Sequence, residues 1–139
     1  MKDLEPELKE KVVPLCQKGI EQAEIERYEA SNRTFSKVYV LLPEPKPEWK
    51  AYTWLIASMA DNHYELKEHQ KAMDYFNEAV QLDEAYQSNA FVKMRIGQCL
   101  LELGNSSEAE VKLKSALEMG GEEIFEDEYV KYKKLAQKV

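Results

Sequence analysis

His63 and His69 stand six positions apart, and Cys16 and Cys99 are the only cysteines, far from each other and from any CxxC pattern. A zinc-binding helix wants histidines at i and i+4 or carboxylates closing the set, so no metal site is expected. No Gly-rich phosphate loop, G-x-S-x-G elbow or His-Glu-x-x-His helix occurs, so we expect no catalytic residues, no cofactor and no enzyme. Asp61, Arg95 and Gln98 are different. They are polar positions on helix faces where Trp54, Tyr64, Phe91 and Met94 supply apolar area. Aromatic anchors around a few charged groups suit protein recognition. The same polar three could instead hydrogen-bond between helices, and Trp54 and Phe91 could pack between repeats. Glu122, Glu123, Glu126, Asp127 and Glu128 form an acidic run with three readings: a solvated helix start, a chelator of a cation, or a second contact for a basic partner.

The elements that carry these residues are written as a repeat. Ala72, Phe76 and Ala79 recur as Ala109, Leu113 and Ala116, each pair 37 residues apart. Upstream, Ile56-x-x-Met59-Ala60 recurs as Lys93-x-x-Ile96-Gly97. Small residues let two antiparallel helices approach, and the large one fills the gap. A weaker copy runs through Gly19, Ser31, Phe35 and Val38, with Ser31 lying 41 residues before Ala72. Turns are expected near Glu26-Arg27, Lys67-Glu68 and Gly104-Asn105. Gly104 suits the left-handed C′ position, and Asn105 or Ser106 can cap the next helix. Pro14 is placed in the first turn of its helix, where a missing N–H costs little. Leu42 to Pro47 forces an extended connection, over which Trp49 is a structural plug. Asp83 to Asn89 carries a shorter insertion. Val130, Tyr132, Leu135 and Val139 give the last helix an apolar side that seals the stack.

A helical pair written more than once means a solenoid, in which no unit buries its apolar face alone. The chain has 139 residues, enough for one such domain. The two cysteines read as small buried hydrophobes in a reducing compartment. Met1 to Pro6 is acidic without an apolar core, and no apolar stretch approaches about 18 residues. We therefore expect a cytoplasmic protein without a membrane segment. A net charge of −7 argues against nucleic acid as partner and either favours a basic protein or serves solubility.

These positions resemble the tetratricopeptide repeat (TPR): a small residue late in the first helix, an alanine early in the second, then an aromatic and another alanine at fixed spacing. The resemblance implies an all-α, TPR-type helical-hairpin solenoid in one domain, residues 1–139. Its repeats are placed at about 12–45, 53–86 and 90–121, and its capping helix at about 124–138. A narrower likeness joins Leu41-Leu42-Pro43-Glu44-Pro45-Lys46, Trp49, Thr53-Trp54-Leu55, Arg95-Ile96-Gly97-Gln98-Cys99-Leu100 and Gly121-Glu122-Glu123-Ile124-Phe125. They resemble small bacterial TPR proteins encoded beside polymorphic secreted toxins, which serve there as immunity proteins.

In this repeat the first helix of each pair lines a concave groove. That geometry implies a partner-binding surface of Trp54, Ala57, Ser58, Asp61 and Tyr64, joined by Phe91, Met94, Arg95, Gln98 and Leu101. Val13, Cys16, Ile20 and Ala23 complete it from the first pair. The implied partner is a protein, a cognate toxin domain such as a basic nuclease, bound by a monomer or weak homodimer. Two other functions fit the repeat: an adaptor or co-chaperone capturing a peptide or protein, and a structural subunit of a larger assembly. Under the groove reading, Arg95→Ala and Asp61→Ala leave the helices intact and weaken partner binding by about 2 kcal/mol or more.

Overall fold

The computed structural model describes residues Met1–Val139. Eight α-helices follow one another: α1 (Pro6–Glu24), α2 (Tyr28–Leu41), α3 (Lys50–Glu65), α4 (His69–Leu82), α5 (Glu84–Gln87), α6 (Ala90–Glu102), α7 (Ser106–Gly120) and α8 (Val130–Ala136). Helices α1/α2, α3/α4 and α6/α7 pair as hairpins, and α2 against α3 and α4 against α6 stack them in chain order. This is the TPR-type all-α stack that the repeat spacing implies. There is no sheet; Lys2 makes one isolated bridge to Trp49.

The small–large–small spacing packs each hairpin. Ala72, Phe76 and Ala79, their counterparts Ala109, Leu113 and Ala116, and the earlier Ser31, Phe35 and Val38 are all buried. Opposite the large residue stands one with little or no side chain. A Cβ added at Gly97 would sit 2.8 Å from Leu113 Cγ, and one at Gly19 would enter the Phe35 ring. Gly19→Ala should therefore overpack α1 against α2 and cost about 1–3 kcal/mol. Urea denaturation measures it, and a midpoint equal to wild type would refute the packing argument. The Ser31 hydroxyl donates to the Gly19 carbonyl (2.6 Å) and accepts from Asn62 Nδ2 (2.9 Å). A polar group thus sits satisfied in the close approach.

All three hairpin turns use one device. Glu26, Lys67 and Gly104 have φ of 63°, 62° and 90°, in the left-handed region. The next residue's N–H then bonds back to the carbonyl five residues earlier: Arg27 to Gln22 (2.9 Å), Glu68 to His63 (2.8 Å) and Asn105 to Leu100 (2.8 Å). Such back-bonds satisfy carbonyls that a helix end leaves open. Only the third turn has the glycine that favours this conformation.

Local expectations change at four places. Pro14 lies inside α1, which starts at Pro6, so the missing N–H falls mid-helix rather than in the first turn. Asn105 takes the N-cap position of α7 without a side-chain cap bond. The insertion after Asp83 folds into α5, making eight helices where pairs and cap alone give seven; Asp83 Oδ1 accepts from the Ala85 N–H (2.9 Å). The capping helix is shorter than 124–138. A 3-10 turn over Glu122–Phe125 buries Phe125, and the extended Tyr129 (ψ 137°) delays the helix until Val130. Tyr132 and Ala136 seal the stack against Met94, Leu113 and Ala116, while Val130 and Val139 stay exposed. Trp49 does serve as the plug: its Nε1 donates to the Pro43 carbonyl at 2.9 Å.

Candidate protein-binding groove

Helices α1 and α3 begin successive hairpins and run parallel, because both their starts and both their ends share cavities. One cavity of about 300 Å³ lies between Val12, Val13 and Cys16 of α1 and Ala51 and Trp54 of α3, with Asp3, Lys9 and Lys50 also lining it. A second, about 320 Å³, opens further along between Ile20, Ala23 and Glu24 and Ser58, Asp61 and Glu65, with Phe35 behind. Val13 and Ile20 are exposed although apolar, and Trp54 is half-buried, edge-on to Phe35 at 5.7 Å between centroids. Together they make a slot that is mainly apolar where the helices begin and polar and acidic where they end.

On α6 the expected surface is closed. Arg95 is only 4% exposed. Its Nε donates to Asp61 Oδ1 at 2.7 Å and its Nη1 to Gln98 Oε1 at 2.8 Å and Glu128 Oε1 at 2.6 Å, while Nη2 reaches Glu65 Oε1 at 3.4 Å. Gln98 Nε2 donates to the same Glu128 oxygen at 2.9 Å. The guanidinium carbon lies 4.1 Å from the Tyr64 ring centroid and 4.6 Å from that of Phe91. Burial works against its charge, but Asp61 and Glu128 outweigh burial, and the pKa is raised. Glu65 is pushed up by burial and by Asp61 and Glu128, against the pull of Arg95.

This arrangement corrects the α6 part of the expected surface. Met94, Arg95 and Gln98 are buried under the chain that returns after Gly121, so none is free to meet a partner. Trp54, Asp61 and Tyr64 remain half-buried, and Phe91 is exposed along the edge of the arginine stack. Glu128 leaves the acidic run to join the arginine. Glu122 pairs with Lys133 at 3.2 Å, and Glu123, Glu126 and Asp127 are exposed. Lys9, Lys50, Glu24 and Glu65 were missed because each looks like an ordinary surface charge; their position at helix ends was the available signal.

Other groups offer little reactivity. Burial raises the Cys16 thiol and pushes that of Cys99 up to about 12, away from the thiolate needed for nucleophilic or metal chemistry. His63 Nδ1 is 2.9 Å from Glu68 Oε1, and its ring edge faces Asn32. A wider cleft of about 780 Å³ lies between α2 and α4, but its lining is mostly polar, and Glu68 there already meets His63 and Lys71. The α1–α3 slot is the better candidate, because its first cavity is lined mainly by apolar side chains, whose desolvation favours association rather than opposing it.

No protein-family model matches the sequence, and no curated protein does. Solved structures do. The type III secretion chaperone SycD of Yersinia enterocolitica, in complex with a peptide of the translocator YopD, superposes with a TM-score of 0.67. The match covers 92% of this chain and 91% of SycD at 16% sequence identity. The two proteins share a fold. No helix of this chain is long and apolar enough to cross a membrane.

Proposed function

We propose that this protein is a non-catalytic binding module of the adaptor or chaperone kind, holding an extended segment of a partner protein in the α1–α3 slot. The observation that carries this reading is a pair of cavities left open along the α1–α3 face, the first lined mainly by apolar residues, on a stack whose other end is sealed by its own C-terminal segment. The shared fold with SycD, itself solved with a peptide, supports the same reading. Neutralising a cognate toxin is a narrower form of it, supported by the net charge of −7.

The test uses two exposed residues that can change without disturbing the core. Wild type and a Val13→Arg, Ile20→Arg double variant serve as bait in cells of the native host, with bound proteins identified by mass spectrometry. A partner held by wild type and lost by the variant, at equal helical signal, is the expected result. Its identity as a toxin or a client separates the two forms. A partner kept by the variant would remove the slot as the site.

A further inference from the structure

The slot has a charge direction as well as an apolar wall. Glu24 ends α1 and Glu65 ends α3, at the negative ends of two parallel helix dipoles where acids are disfavoured. Asp61 lies one turn inside. Glu24 makes no ion pair, and Asp61 and Glu65 share a single guanidinium with Glu128, so this end carries excess negative charge. At the opposite end Lys9 and Lys50 line the cavity where both helices begin, together with Asp3, whose carboxylate lies 3.8 Å from the Lys50 ammonium. At the acidic end each carboxylate has the sign of the helix terminus it sits on, so side chains and backbone add there instead of cancelling.

We propose that the slot selects an extended peptide segment carrying a large apolar side chain and, about three to five residues away, a lysine or arginine. The apolar side chain fills the cavity at Val13 and Trp54, and the basic one lies between Glu24, Asp61 and Glu65. The spacing follows from geometry. Trp54 to Asp61 and Val13 to Glu24 cover roughly 10–16 Å at about 1.5 Å per helical residue. An extended chain crosses that length in about three to five residues at about 3.3 Å each. The cation would meet carboxylates with too little positive charge among them, partly out of water, where such pairing is strongest.

This rests on the slot being the binding site, and the experiment separates the two. The full chain selects from a displayed library of random nine-residue peptides, followed by affinity measurement on synthetic winners by fluorescence anisotropy. We expect enrichment of Leu, Ile, Phe or Trp with Lys or Arg three to five positions away. Glu24→Lys should weaken those winners at least tenfold and shift selection away from basic residues, and Val13→Arg should abolish binding. Apolar enrichment without a basic residue, or with an acidic one, overturns the charge assignment and leaves the slot standing. Winners that bind Val13→Arg as well as wild type, or no winners at all, overturn both.

Discussion

Arg95→Ala should lower the stability of this fold by about 3–5 kcal/mol, the cost of breaking a buried ion pair by removing one partner. The residue is buried, and its loss strands Asp61, Glu65, Glu128 and Gln98 around an empty centre while stripping two aromatic faces of their cation. At several degrees of melting temperature per kcal/mol for a domain of this size, the midpoint should fall by roughly 10–20 °C. Arg95→Lys should recover only part of this, because a single ammonium cannot replace a planar fork reaching four side-chain partners on α3, α6 and the C-terminal segment. Thermal and urea melts of both variants decide it, and a loss of under about 1 kcal/mol for the alanine variant would mean the network is not structural. This reverses the expectation that Arg95→Ala spares the fold and acts only on partner binding. A binding defect in that variant reports on stability first.

Phe76→Ala should cost about 3–5 kcal/mol through lost burial and the cavity left behind. The ring is 1% exposed and belongs to the cluster that joins α4 to α6 through Ala60, Ala72, Ile96 and Ala109. The repeat supplies an internal control. Leu113 fills the equivalent place one unit later, so Phe76→Leu should keep most of the stability that Phe76→Ala loses. Denaturant melts with an unchanged slope would show that stability alone moved. Equal losses for the two variants would mean the position does not tolerate the substitution that the repeat itself makes.

The hairpins were legible because helix packing is encoded locally. Two helices joined by a three-residue turn meet at positions fixed by helical periodicity, so Gly19 with Phe35 and Gly97 with Leu113 can be paired from spacing alone. The turns were legible in place but not in conformation. Gly104 announces a left-handed residue, whereas Glu26 and Lys67 take it only because the hairpin around them demands it. Pro14 misled for a related reason: its preference for a helix start was outweighed by the apolar packing of α1, with Val12 in the first core cluster and Leu8, Leu15 and Cys16 packed against it.

The candidate site divides along the same line. Trp54, Asp61, Val13 and Ile20 could be assigned to a groove from repeat position, because successive hairpins present their first helices in the same way. The fate of α6 could not. Arg95 meets Asp61, 34 residues before it, and Glu128, 33 residues after it, contacts that no local period records. By itself the sequence determined the helical hairpins, their turns and the apolar character of the face they share, since each depends on side chains a few positions apart. Only the tertiary structure decided that the chain after Gly121 folds back over α6, buries Met94, Arg95 and Gln98, and leaves the α1–α3 slot open, because closing a loop that long depends on the whole stack being assembled first.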